Sequence, residues 1–300
     1  MDQNNKNPSH IIVNVDKNTS EEDVLAFCTN IKKENAEIRF TYQCYDNQIP
    51  GNDTDLFDDL TNSIPDDPEN LFIITDSKSV ADRTKELGMA CAAYFSGAGR
   101  SRDLSGILYC IEDIAYISYD RLKKMWERYH NIPWTIATTE RMVIREQTLR
   151  DIDALYEIYS DKDITKYTEP LYDDPKKEAD YLQAYIDNQY RFYEFGIWAL
   201  TLRQSGKLIG RAGISIREGY DLPELGYVIG KEYQGCGYAK EALDAIMDYA
   251  AGELGMSEFM AFTKERNTPS VRLLKSLGFV KTGNALIKGG YHAMYLLTKQ

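Results

Sequence analysis

The chain has 300 residues, 43% of them hydrophobic and 27% charged, with a formal net charge of −12. That is enough length for two domains that each bury a core, and the composition is too apolar for a disordered chain. The acidic balance excludes nucleic-acid binding through a broad basic surface, and no apolar run approaches the ~20 residues needed to cross a bilayer.

Residues 1–9 are polar and read as a loose tail, with neither the basic start nor the apolar stretch of a signal peptide. From there to about residue 131 strand and helix patterns alternate. Strands are predicted at 10–16, 37–45, 70–76, 90–95 and 106–111, and helices at 20–35, 53–61, 77–87 and 113–129. Ser20 followed by Glu21, Glu22 and Asp23 is a helix start, and Gly88 a helix stop. Alternation of this kind predicts a Rossmann-like, mostly parallel α/β domain over residues 10–131.

Asn131-Ile132-Pro133-Trp134 breaks the pattern, and a second domain is expected over 140–300. It reads as strand 142–146, helices 149–160 and 175–192, and strands 196–203, 207–217 and 224–229. Helix 237–254, strand 258–264, helix 269–277 and strands 279–287 and 291–298 follow. The result is a mixed-sheet α/β domain with consecutive antiparallel strands ahead of residue 230.

The five cysteines (Cys28, Cys44, Cys91, Cys110, Cys236) are scattered and show no CxxC spacing, and the three histidines form no ligand set. A reduced, cytoplasmic protein without metal is expected.

The most informative stretch is Glu224–Leu243, ELGYVIGKEYQGCGYAKEAL. An apolar strand delivers a glycine-rich turn to a helix start, where small residues and unpaired N–H groups build an anion site. The spacing fits neither GxGxxG at a first strand–helix turn nor the P-loop GxxxxGK[ST]. Gln234, Gly237 and Ala239 instead meet the pattern [QR]xxGx[GA]. Asn267-Thr268-Pro269-Ser270 and Leu273-Leu274 through Gly278-Phe279 follow at the spacing Nxx[AS]xxLxxxxGF.

With these two motifs the second half of the chain resembles the GNAT superfamily of acyl-CoA-dependent N-acyltransferases, in the branch that includes ribosomal-protein N-terminal acetyltransferases. The resemblance implies acetyl-CoA as co-substrate and a primary amine, on a small molecule or a peptide, as acceptor. It implies that the backbone of Tyr227, Val228 and Ile229 pairs with the pantetheine arm. Gln234 belongs to the turn whose amides, Gly235, Cys236, Gly237, Tyr238, Ala239 and Lys240, hold the pyrophosphate. The side-chain amide of Asn267 reaches the pantetheine.

Acylation from a thioester needs a neutral amine, a stabilised oxyanion and a proton for the thiolate. Alternation puts Glu224 on one strand face with Gly226 and Val228, and the family resemblance assigns Glu224 the role of base, with burial expected to tune it. The Val228 N–H is expected to meet the oxyanion. Many members carry tyrosine where this chain has Leu274, so either another hydroxyl such as Tyr291 serves as the proton donor or the thiolate leaves without enzymatic help. Cys236 reads as a tolerated motif position rather than a nucleophile. The acidic and aromatic segment 160–195 (Asp161, Asp163, Glu169, Asp173, Asp174 and several tyrosines) predicts a cationic acceptor.

In the first half, Leu71–Ser77 with Gly88-Met89 is similar to the late motif of haloacid-dehalogenase-like phosphatases. Val80 stands in place of the second acid, however, and Asn14-Val15-Asp16 in place of a DxD pair. Valine offers magnesium no oxygen, so a degenerate, non-catalytic domain is expected. Alternatives to the acetyltransferase are a non-catalytic acyl-CoA sensor and a phosphatase in the N-terminal domain.

Overall fold

The computed structural model describes residues 7–95 and 105–299. The chain falls into two compact units, Met1–Ile132 and Pro133–Gln300. Among the described residues the strands form one five-stranded and one eight-stranded sheet.

The N-terminal unit runs β1 (His10–Asp16), α1 (Glu21–Glu34), β2 (Arg39–Tyr45), α2 (Asn52–Ser63), β3 (Leu71–Thr75), α3 (Lys78–Glu86), β4 (Ala90–Tyr94), β5 (Tyr109–Ile111) and α4 (Tyr119–Tyr129). Its strands are all parallel in the order β2-β1-β3-β4-β5. The three central strands are buried along their whole length, because helices cover both faces. On one face Ile11, Val13 and Ile74 pack with Phe27 of α1 and Trp126 of α4. On the other Ile12 and Ile73 pack with Phe57 of α2 and Val80 of α3.

The expected caps form: Ser20 accepts from the Asp23 N–H, and Gly88 closes α3 at φ 70°. Two expectations are corrected. The helix predicted over 113–129 is a 3₁₀ turn, Ile114–Tyr116, followed by α4, because Ser118 caps a fresh helix start through the Arg121 N–H. Of the predicted tail, residues 1–6 lie outside the described residues. Residues 7–9 are tied down, with Pro8 buried and the Ser9 backbone bonded to Asn70 and Arg39.

The phosphatase-like positions are committed to structure. Val80 is fully buried in the core. Asn14 donates to Gln43 and accepts from Thr75. The Asp76 carboxylate accepts from the Tyr45 hydroxyl at 2.7 Å and the Asp16 N–H at 3.1 Å.

The C-terminal unit runs β6 (Thr135–Thr138), β7 (Met142–Arg145), α5 (Ile152–Tyr159), α6 (Lys162–Thr165), α7 (Pro175–Tyr185), β8 (Ile197–Leu202), β9 (Leu208–Ile216), β10 (Pro223–Ile229), α8 (Tyr238–Glu253), β11 (Glu258–Thr263), α9 (Thr268–Ser276), β12 (Val280–Ile287) and β13 (Gly290–Thr298). The sheet order is β12-β13-β11-β10-β9-β8-β7-β6, antiparallel except between β10 and β11. Sequence reading missed β6, which is short and pairs only with β7, and α6, a single turn capped by Asp161. The predicted helix 175–192 changes character at Ile186, where a π-helical stretch continues to Tyr193.

One face of this sheet packs under α8 and α9 through Ile214, Leu225, Ile246, Phe259 and Leu274. The other carries α5, where Leu155 and Tyr159 meet Ala199 and Leu208.

Candidate functional site

β10 is hydrogen-bonded to β9 from Pro223 to Ile229, yet meets β11 at the single register pair Glu224–Met260. Beyond that rung the two parallel strands diverge. The β11-facing edge of β10 from Gly226 to Ile229 therefore lacks a strand partner among the described residues. A cavity of about 1190 Å³ opens into this gap.

The glycine turn follows directly. Gln234 ties it to β10 by donating from Nε2 to the Ile229 carbonyl at 2.9 Å. Gly235 and Gly237 sit at φ 75° and 84°, a conformation that side chains with a Cβ disfavour. The first bond of α8 runs from the Glu241 N–H to the Gly237 carbonyl. The N–H groups of Tyr238, Ala239 and Lys240 are thus left without acceptors inside the helix, at its positive end.

Arg141 holds this turn from outside. Its guanidinium grips the Glu241 carboxylate at 2.7 and 2.6 Å, donates to the Cys236 carbonyl at 2.9 Å, and lies 4.2 Å from the Tyr238 ring centre. Gly235, Gly237, Tyr238, Ala239 and Lys240 of the turn and helix start line the cavity. The opposite wall is α9, whose cap Asn267 accepts from the Ser270 N–H through Oδ1. That leaves the Asn267 amide nitrogen available to the cavity it lines.

Strand alternation builds the face away from α8. Glu224, Gly226 and Val228 of β10 lie opposite Ser215, Gly213 and Arg211 of β9. Arg217, two residues beyond Ser215, binds Glu224 through two hydrogen bonds of 2.6 and 3.1 Å. Arg211 donates from Nε to the Tyr159 hydroxyl at 2.8 Å and stacks 4.8 Å from its ring centre. Burial pushes the Tyr159 hydroxyl pKa up, and the nearby Arg211 pulls against that shift.

The structure brings Glu224, Tyr227, Val228, Ile229, Gln234, Gly235, Gly237, Tyr238, Ala239, Lys240 and Asn267 together around one cavity. It does not bring Cys236 or Tyr291 there. Cys236 is exposed, its carbonyl taken by Arg141. Tyr291 is 80% exposed, because its neighbours Gly290 and His292 take the cavity side of β13. Alternation therefore turns Tyr291 away, which corrects its assignment as proton donor. Leu274 is buried in the cavity wall, which Tyr227 and Ser270 also line with hydroxyl side chains. Burial raises the Tyr227 pKa, and a bond to Ser270 opposes it.

The acidic segment also behaves differently from its sequence reading. Asp161 and Asp174 cap helices, Asp163 pairs with Lys231 at 2.5 Å, and Glu169 pairs with Lys288 at 2.5 Å. These carboxylates have partners within the chain, although Asp163 and Glu169 also line the cavity. Sequence reasoning missed Arg141, Arg211 and Arg217. The last two were visible as the polar positions of the alternating run Arg211–Arg217, with Ala212, Ile214 and Ile216 between them. Arg141 had no local signal, since Glu241 is 100 residues away.

Residues 141–280 match the family model described as an acetyltransferase (GNAT) domain. The chain is 31% identical over 147 residues to the uncharacterized N-acetyltransferase p20 of Bacillus licheniformis, covering 48% of this chain and 82% of that protein. It is 31% identical over 180 residues to the [ribosomal protein uS5]-alanine N-acetyltransferase of Escherichia coli, covering 56% and 93%. A solved GNAT-family acetyltransferase from Bacillus anthracis superposes with a TM-score of 0.45 at 23% identity, covering 53% of this chain and 94% of that one.

Proposed function

Because the chain belongs to the GNAT acetyltransferase family, we propose that its C-terminal unit moves an acetyl group from acetyl-CoA to a primary amine by direct transfer. The observation that carries this reading is the open β10 edge leading into a glycine turn that lines the cavity and starts α8 without a side-chain cap. Such an edge accepts an extended, amide-bearing chain as if it were another strand. Such a turn accepts a pyrophosphate at the positive end of α8.

In this reading the β10 edge from Tyr227 to Ile229 holds the pantetheine arm, and the amides of Gly235 and of Gly237 to Lys240 hold the pyrophosphate. The Asn267 side chain donates to the arm. The bound thioester supplies an activated acetyl group; the ladder turns the Val228 N–H toward β9, so an N–H of the open edge, that of Tyr227 or Ile229, is the proposed oxyanion donor in its stead. Glu224 accepts the proton of the incoming ammonium through water, its carboxylate oriented and kept in place by Arg217. The Tyr227–Ser270 hydroxyl pair returns a proton to the leaving sulfur, a task Leu274 cannot perform. One named relative acts on a ribosomal-protein alanine, which makes a peptide α-amine one acceptor to test.

The test is a panel of amines incubated with acetyl-CoA, with released thiol and product mass both recorded, beside calorimetric titration of CoA. Thiol release matched by acetylated product supports the reading. CoA binding with no turnover of any amine would favour an acyl-CoA sensor, which the occupied Glu224 carboxylate makes the relevant second reading. A phosphatase in the N-terminal unit has less support, because Val80 is core and Asn14 is committed to its neighbours.

A further inference from the structure

The face opposite α8 presents three successive cross-strand pairs: Val228–Arg211, Gly226–Gly213 and Glu224–Ser215. Its middle is a floor with no side chains. Gly213 is glycine by necessity, since a Cβ there would meet the Gly196 carbonyl at 2.0 Å. Gly226 is not. Its φ is not positive, and a Cβ would meet only the Ile197 Cδ1 at 4.0 Å. Neither the backbone nor packing calls for glycine at 226, and what its absent side chain leaves open is the cavity.

The charges around this floor are unequal in their commitments. Glu224 is bound by Arg217, and Glu178, itself buried in the cavity wall, accepts from the Tyr172 N–H at 3.0 Å. Arg145 and Arg217 each have a carboxylate partner. Arg211 has none within ion-pair distance among the described residues. Its Nε is fixed by Tyr159, which aims the guanidinium and leaves both Nη groups to be satisfied. A guanidinium held in a partly buried wall without a counter-charge is costly unless a ligand completes it.

We infer that the acceptor carries a carbonyl or carboxylate oxygen beside its amine, and that Arg211 binds that oxygen while the amine lies over Gly226. The inference rests on the acetyltransferase reading and narrows its acceptor class. Guanidinium nitrogens donate in a fork matched to such an oxygen, as a charge-assisted bond. A free α-amino acid and a peptide N-terminus share this chemistry. Polyamines and simple alkylamines lack it, and a second ammonium would meet the Arg211 charge directly.

The experiment compares L-alanine, an alanine-initiated tripeptide, ethylamine and putrescine with acetyl-CoA, reading kcat/KM for each. With one charge-assisted bond at stake, alanine or the tripeptide is expected to exceed ethylamine by ~100-fold. Arg211→Met is expected to bring that ratio near unity, Arg211→Lys to restore part of it, and neither to change CoA affinity by calorimetry. Preference for the tripeptide identifies the oxygen as a peptide carbonyl, and preference for alanine identifies a carboxylate. Equal or better turnover of ethylamine or putrescine by the wild type overturns the inference alone. So does a ratio that Arg211→Met leaves unchanged. Absence of CoA binding would overturn the parent reading together with this one.

Discussion

Arg217 holds Glu224 through both carboxylate oxygens, at 2.6 and 3.1 Å, and lies 5.4 Å from the Phe262 ring centre. The pair fixes the carboxylate at the one rung where β10 and β11 meet. Replacing Glu224 with Gln keeps the shape but removes the base. We expect kcat to fall by ~10²-fold or more with KM for acetyl-CoA nearly unchanged. An unchanged kcat would leave the pair as a purely structural link.

Arg141 acts on the anion turn rather than on the reacting atoms. Arg141→Ala releases the Cys236 carbonyl and the Glu241 carboxylate together. KM for acetyl-CoA is expected to rise about tenfold, the scale of one charge-assisted hydrogen bond. S-acetyl-pantetheine has no pyrophosphate, so its KM should hardly move. A parallel rise for both thioesters would point to general damage instead.

Two tyrosines separate the proton-donor assignments. Tyr227→Phe removes a cavity hydroxyl, and kcat should fall by at least ~10-fold. Tyr291→Phe alters a side chain that points away from the cavity, and kcat should stay within error. The reverse pattern would return Tyr291 to the chemistry.

In the N-terminal unit, Asp66 joins Arg39 and His10, its Oδ2 lying 3.0 Å from the His10 ring. Burial alone would raise its carboxyl pKa, but the hydrogen bonds from Arg39 and His10 outweigh it and hold the value below the ordinary 3.8. A carboxyl lowered on folding adds stability above its unfolded pKa, and that stability is lost as pH falls through the folded value. Denaturant unfolding from about pH 5 down to about pH 2 should therefore show an acid-dependent loss that Asp66→Asn reduces. Equal pH slopes in both proteins would refute this.

Most of the architecture was legible because helix caps and period-two strands are local signals. Ser20, Gly88 and the apolar runs Ile11-Ile12-Val13 of β1 and Leu71-Phe72-Ile73-Ile74 of β3 each declare themselves within a few residues. The cofactor-side residues were legible for the same reason, gathered in two short runs. What escaped depended on pairing across distance. Sequence gave Tyr291 a hydroxyl but not a direction, which its register on β13 decides. The acidic segment showed its charge but not its partners, Lys231 and Lys288, which lie 68 and 119 positions downstream of Asp163 and Glu169.

The lone rung between β10 and β11 divides the eight-stranded sheet into blocks of three strands and five. Within each block every neighbouring pair of strands shares several register pairs, while one register pair carries the backbone coupling between the blocks. Native-state hydrogen exchange should therefore resolve two cooperative opening units, β11 with β12 and β13 apart from β6 to β10, rather than one. The sheet is zipped as two fabrics sharing a single stitch.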